Sequence, residues 1–300
     1  MRLSRRELFS TTAALSLGLS DGRAIEPIPR SHLPRLKLSL AAYSFRQWLD
    51  IKKPKEPAMT LTDFIDYAAA RDLDAVELTA YYFPETTPEY LGKLKRQATK
   101  LGLDVSGTAV GNDFCVADPE KLKSQLEHVK SWTEHTARLG GKTMRIFAGT
   151  VPKGDTEENA VKRCIPVIQE ACEYAARWGV ILALENHGGI TATAEQLLHL
   201  VQSVKHENFG VNLDTGNFRT TDPYGDLAKL APYAVTVQVK TEITAKGGKT
   251  EEADIPRLIK MLRDVKYRGY VALEYEAKED AKIAVPKYLT EMRKLMNAQG

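Results

Sequence analysis

Cysteine is scarce in this 300-residue chain. There are three, Cys115, Cys164 and Cys172, an odd number that makes no obvious disulfide framework. Cys164 and Cys172 share one expected helix, where their separation corresponds to about 12 Å of rise, too far for a disulfide. All three read as small buried apolar side chains. Charge of one sign is not concentrated either. The formal net charge is +3, and Lys and Arg are spread without a block of like charge, which points away from nucleic acid or an anionic membrane as partner. A glycine-rich phosphate loop is also missing. The first expected strand runs into Ala42-Tyr43-Ser44-Phe45-Arg46 with no glycine, so a doubly wound nucleotide-binding sheet loses its main signature.

What is present is a repeated alternation. Short β-type apolar runs fall near Leu36 to Ala42, Ala75 to Leu78, Val105 to Thr108, Thr143 to Phe147, Val180 to Leu184, Phe209 to Leu213, Ala234 to Val237 and Tyr270 to Leu273. Helical patterns lie between them. In the stretch from Asp155 to Trp178, Ala160, Cys164, Val167, Ile168, Ala171, Tyr174 and Ala175 recur on one face. Gly102, Gly140, Gly141 and Gly179 stand just before the next strand, where a left-handed cap is wanted. Strands separated by helices of this length run parallel through right-handed crossovers. The expected fold class is therefore α/β, a single-domain (β/α)8 TIM barrel, a fold that typically occupies about 250 residues.

Four polar residues close the last four of these runs: Glu185, Asp214, Gln238 and Glu274. Successive members are separated by enough chain for one helix and one further strand. A barrel gathers such strand ends at one mouth, where barrel enzymes keep their chemistry. Acids often follow strands because loops are solvated, but three carboxylates and a carboxamide at equivalent places in successive units suit a divalent cation with oxygen ligands, which would relieve their mutual repulsion.

The segments Leu184-Glu185-Asn186-His187, Asn212-Leu213-Asp214-Thr215-Gly216-Asn217, Gln238-Val239-Lys240 and Leu273-Glu274-Tyr275-Glu276 resemble the xylose isomerase-like barrel superfamily of sugar isomerases and epimerases. The likeness covers the chain after residue 36. It implies one divalent metal, Mn²⁺ foremost with Mg²⁺ or Co²⁺ as alternatives, held by Glu185, Asp214, Gln238 and Glu274. It also implies that Glu185 and Glu274 act as acid and base beside the substrate. Two positions depart from the pattern. Gln238 stands where a histidine is usual; it either ligates through its carbonyl oxygen, which would favour Mn²⁺ or Mg²⁺ over Zn²⁺, or only hydrogen-bonds a ligating water. Asn217 stands where a substrate-binding histidine is common, and His187 could fill that role. Tyr43, Phe45, Asn112, His187, Asn217 and Lys240 are the expected substrate contacts. Tyr81, Tyr82 and Phe83 are expected to cap the core, and Glu77 and Arg145 to pair with each other inside the barrel.

The chemistry implied is proton abstraction beside a polarised carbonyl, giving an enediolate of an unphosphorylated sugar or keto-sugar. Elimination from a keto-glycoside and a catalytically silent carbohydrate-binding barrel are the alternatives. A three-metal nuclease on a similar barrel needs several strand-end histidines, and only His187 qualifies. At the N-terminus, Ser4-Arg5-Arg6-Glu7-Leu8-Phe9 ahead of the mildly apolar Thr11 to Leu19 resembles a twin-arginine export signal. That apolar stretch falls short of the about 20 residues of a membrane span, so no stable membrane anchor is expected. The expected organisation is a signal over 1–24, an irregular linker over 25–35 and the barrel over 36–300. It implies the export machinery as a partner and a periplasmic or otherwise exported location; oligomeric state is left open.

Overall fold

The structure, a computed structural model, describes residues 25–298. Eight parallel strands close a barrel: β1 (Arg35–Ala41), β2 (Ala75–Thr79), β3 (Asp104–Ala109), β4 (Thr143–Ile146), β5 (Ile181–Glu185), β6 (Phe209–Asp214), β7 (Ala234–Val239) and β8 (Arg268–Leu273). Neighbours in sequence are neighbours in the sheet, and β8 pairs with β1 to seal it. The alternation read from the sequence is thus the alternation of a single-domain TIM barrel. A small antiparallel hairpin, Glu242–Thr244 with Thr250–Glu252, is inserted after β7.

Two faces of each strand meet different surroundings. On β5, β6, β7 and β8 the outward residues Leu182, Leu184, Val211, Leu213, Val237, Val239, Val271 and Leu273 are buried in the apolar layer beneath the helices. Burying each such side chain stabilises the fold by about 1.5–3 kcal/mol. The alternate residues project inward, because side chains along a strand alternate faces. Contacts between strands that are not neighbours show this directly. Ser39 of β1 meets Ser106 of β3 at 3.0 Å, and Gln238 of β7 donates to Glu77 of β2 at 2.7 Å. The lower barrel is therefore filled by small and hydroxyl side chains, while the upper barrel fills with acids, amides and Arg145.

Helices begin where the sequence supplies a cap. Thr60 and Thr193 form capping boxes with Asp63 and Gln196, and Thr87, Asp118, Thr156, Asp222, Asp254 and Asp280 accept from the first turn of theirs. Each cap satisfies a backbone N–H that the helix itself leaves unpaired. The helix expected over 155–178 spans Glu157–Ala176 and buries Ala160, Cys164, Ile168, Ala171, Cys172 and Ala175. Gly102, Gly140 and Gly179 have the positive φ of a left-handed cap. Gly141 does not; it is needed for close packing, since a Cβ there would lie 2.8 Å from the Thr136 side chain.

Residues 25 to 34 carry no regular structure, and they are fastened rather than loose. Ile28 donates to the Pro232 carbonyl at 3.0 Å, and Arg30 reaches the Pro232 and Ala234 carbonyls at the start of β7. The twin-arginine segment, over 1–24, lies outside the described residues. Among the described residues no helix is long and apolar enough to cross a membrane. Cys115, Cys164 and Cys172 are free and buried.

Candidate functional site

At the C-terminal ends of the strands a cavity of about 180 Å³ opens, reached by side chains from six of the eight units. Tyr43 follows β1, Tyr81 follows β2, and Arg145 and Phe147 belong to β4 and its end. Glu185 and His187 come from β5, Lys240 from the end of β7, and Glu274 and Glu276 follow β8. Asp214 and Gln238 adjoin this wall and are wholly buried. Strand register explains their level: Asp214 pairs with Gln238, and Gln238 with Ala272, two residues before Glu274. The four polar strand ends therefore do share one mouth.

Each carboxylate has its own partners. Glu185, 3% exposed, accepts from Asn217 Nδ2 at 2.8 Å and faces Arg145 Nε at 2.8 Å. Asp214 accepts from the Gly216 backbone at 2.8 Å, and its other oxygen lies 3.4 Å from Lys240 Nζ. Lys240 also binds Glu274 at 2.7 Å and Glu276 at 2.8 Å. Gln238 gives its amide hydrogens to Glu77 at 2.7 Å and Glu274 at 3.4 Å, while its oxygen accepts from Asn212 at 2.6 Å. In this arrangement Gln238 holds the acids by donating to them. Its oxygen faces away from them.

Protonation follows from burial and neighbours. Burial, and then the charge of Glu274, push Glu77 up to about 7. Burial pushes Glu185 up to about 7 as well, against the pull of Arg145. Asp214 is raised well above the usual range, chiefly by burial, with Lys240 opposing. For Glu274 burial, the largest single influence, acts upward, but the charge and hydrogen bond of Lys240 together with Arg145 and Asp214 hold this carboxyl below its ordinary value. His187 is lowered by burial and by Arg145, and is therefore neutral near pH 7. One glutamate at the cavity is thus held ionised, and another stands near neutrality.

Backbone ties fix these groups. Asn186 clasps the Asp214 backbone, donating to its carbonyl at 2.8 Å and accepting from its N–H at 2.9 Å. Thr215 Oγ1 accepts from the Lys240 backbone N–H at 2.9 Å. Gly216 lets the Lys240 stem pass: a Cβ there would stand 2.6 Å from Lys240 Cβ. Ser44 joins the ends of β1 and β8, donating to the Leu273 carbonyl and accepting from the Tyr275 N–H.

Of the expected substrate contacts, Tyr43, His187 and Lys240 line the cavity. Asn217 adjoins it through Glu185. Phe45 and Asn112 do not reach it. Phe45 is fully buried with its ring 4.8 Å from Tyr67 and 5.9 Å from Trp48, an aromatic spent on the core. Asn112 uses both ends of its amide on the Phe147 backbone. Arg145 and Glu77 do not pair with each other as expected; Arg145 goes to Glu185 and Glu77 to Gln238. Phe147 and Glu276 were not foreseen, and Tyr81, expected to cap the core, is exposed and lines the cavity instead. Phe147 stacks on His187 at 4.2 Å and lies 3.9 Å below the Arg145 guanidinium. The available signal was spacing: Phe147 is two residues beyond Arg145, and Glu276 two beyond Glu274.

Among the described residues no group of three or more His, Cys, Asp or Glu side chains is gathered closely enough to hold a metal ion. The donors nevertheless fit one chemically. Glu185 Oε2 and Asp214 Oδ2 are buried carboxylate oxygens whose only partners are the cations Arg145 and Lys240, so a metal ion would take the place of a charge already there. Four acids, Glu185, Asp214, Glu274 and Glu276, share the two cations Arg145 and Lys240, and a fifth, Glu77, has only the neutral Gln238 amide. Protons on the raised carboxyls absorb the excess, and a cation could take their place.

Comparison with known proteins agrees with the fold. A family profile described as "Xylose isomerase-like TIM barrel" matches residues 65–297. The human protein named "Putative hydroxypyruvate isomerase" is 25% identical over 236 residues, covering 71% of this chain and 83% of the relative. The structure of D-psicose 3-epimerase with D-tagatose, from Clostridium cellulolyticum H10, superposes with a TM-score of 0.71 at 16% identity, covering 87% of this chain and 100% of that one. That of the IOLI protein with a bound zinc atom gives 0.67 at 19% identity, covering 86% and 96%.

Proposed function

The chain belongs to the xylose isomerase-like TIM barrel family, and on that premise we propose that it is a sugar isomerase or epimerase moving a proton at a carbon beside a carbonyl. The observation that carries this reading is the pair Glu185 and Glu274. They share one cavity, and their surroundings drive their protonation apart, one up to about 7 and one held ionised. Such a pair supplies the acceptor and the donor that proton transfer requires.

Glu274, ionised beside Lys240, takes the proton from carbon. Glu185 returns one, to the neighbouring carbon for isomerisation or to the opposite face for epimerisation. Lys240 and neutral His187 are placed to bind sugar oxygens, and Tyr43, Tyr81 and Phe147 offer faces to a ring. Asn217 keeps Glu185 oriented. The substrate is unphosphorylated in this reading, because both cations at the cavity are already bound to carboxylates and leave none for a phosphate. A divalent metal, Mn²⁺ foremost, with Mg²⁺ or Co²⁺ as alternatives, would be held by Glu185, Asp214 and Glu274, with Gln238 joining if its oxygen turned inward. When bound it supplies Lewis-acid polarisation of the carbonyl. The paired arginines at Arg5-Arg6 support export through twin-arginine machinery, and changing both to lysine should retain the precursor inside the cell.

A second reading is a carbohydrate-binding barrel without turnover, favoured by the fact that every acid at the mouth is held by an amide or a cation. Incubation with aldoses, ketoses and 3-keto sugars in D₂O containing Mn²⁺ separates the two. The proposal expects one solvent deuteron in a substrate or product, and its loss in Glu185→Gln or Glu274→Gln. Loss of a substituent would mark a lyase. Saturable binding without exchange across the panel supports the silent barrel.

A further inference from the structure

We propose that the Lys240 ammonium is the resident cation of this site: it competes with a divalent ion for Asp214 and Glu274, and Glu276 is the position to which it withdraws when the ion enters. This rests on the metal reading above and adds a residue that sets the affinity.

Lys240 lies two residues beyond Gln238, on the same face of the chain leaving β7, so its stem runs along the cavity wall. Its ammonium has three hydrogens and three carboxylates around it: Asp214 at 3.4 Å, Glu274 at 2.7 Å and Glu276 at 2.8 Å. Two of these are the acids that an entering ion would need. An ion bound at about 2.0–2.6 Å from oxygens of Asp214 and Glu274 would take over the oxygens the ammonium now faces, and the two like charges would repel. The third acid differs. The Asp214 side chain is 0% exposed and that of Glu274 6%, whereas that of Glu276 is 38% exposed. Lys240 can therefore keep one charge-assisted bond while releasing the other two, moving outward toward solvent. Gly216 has no side chain to crowd the Lys240 stem where it now lies; a Cβ there would stand 2.6 Å from it. Arg145 cannot behave in this way, because its guanidinium is tied to the Val110 carbonyl at 2.7 Å as well as to Glu185.

The consequence is a site that stays charge-balanced without metal and binds an ion more weakly than its three carboxylates would alone. Titration of chelator-stripped full-length protein with Mn²⁺, followed by calorimetry and by the electron paramagnetic resonance of free Mn²⁺, tests it. Lys240→Met keeps the stem and removes the charge, and should tighten binding by about tenfold or more. Lys240→Arg keeps the charge and should give no such gain. Glu276→Gln removes the withdrawn position and should weaken binding severalfold. If Lys240→Met does not fold without metal, Lys240→Gln serves in its place, and the Glu276→Gln measurement stands independently. Parent and Lys240 variants binding Mn²⁺ with equal affinity would overturn the competition while leaving the metal reading intact. No binding by the parent or any variant at millimolar Mn²⁺ would overturn the metal reading and the competition together. Binding only after Lys240 is neutralised would be its strongest support.

Discussion

Strands β5 to β8 end in Glu185, Asp214, Gln238 and Glu274, whereas β1 to β4 send Tyr43, Tyr81, Arg145 and Phe147 toward the same cavity. One half of the mouth is acidic and the other aromatic. The halves are joined by a single ion pair, Arg145 to Glu185, and the acidic half carries its own counter-charge in Lys240. In the proposed reaction the acidic side would handle the proton while the aromatic side supplies a surface to the sugar.

Removing the acids should break this division most severely. Glu185→Gln and Glu274→Gln should each lower the proton-transfer step by about 10²–10⁴-fold, read as kcat on a substrate found by the exchange assay, with smaller changes in KM. Breaking the link between the halves comes next. Arg145→Met leaves the buried Glu185 without its cation, so that it must stay protonated or be stranded as a charge, and leaves the Val110 carbonyl without its donor; the fold should lose about 1–3 kcal/mol, visible in a denaturant titration. The further substitution Glu185→Gln in that background should recover part of the loss, because no charge is left stranded.

A pH series sharpens the contrast. Glu77 and Glu185 have folded values near 7 against an ordinary 4.5, so the folded protein holds protons that the unfolded chain has already released. Their effect on metal-free stability is therefore most favourable below 4.5 and is lost as pH rises to about 7. Glu274 is shifted the other way, and its contribution disappears only as pH falls below 4.5. Melting in chelator should accordingly decline from pH 5 to pH 7.5, and Glu77→Gln should flatten the decline. The smallest effect belongs to the aromatic half. Tyr43→Leu and Phe147→Leu should each cost binding about 0.5–1.5 kcal/mol, seen as a raised KM with kcat little changed.

The same comparison explains what could be read from sequence. Barrel and acidic half were legible because both are periodic. Apolar runs repeat at strand-plus-helix spacing, and an acid or amide after such a run is conspicuous. The aromatic half was legible only at Tyr43, because an aromatic after a strand has the same local pattern whether it faces a cavity or the core. Phe45 and Tyr43 are two residues apart, yet Phe45 packs on Tyr67 and Tyr43 lines the mouth. Partner choice was hidden as well. Arg145 and Glu77 both point into the barrel, but only register and the position of Gln238 decide that Arg145 takes Glu185 and Gln238 takes Glu77. Nor did Asn112 show that its amide would be spent on the Phe147 backbone, since that contact spans two units.

A crystal structure of the protein grown with millimolar Mn²⁺, with the ion located by its anomalous scattering, bears most directly on the acidic half as a cation site. One ion should be bound to Glu185, Asp214 and Glu274, with the Lys240 ammonium withdrawn onto Glu276. Absence of anomalous density, with Lys240 still seated on Asp214 and Glu274, would contradict it.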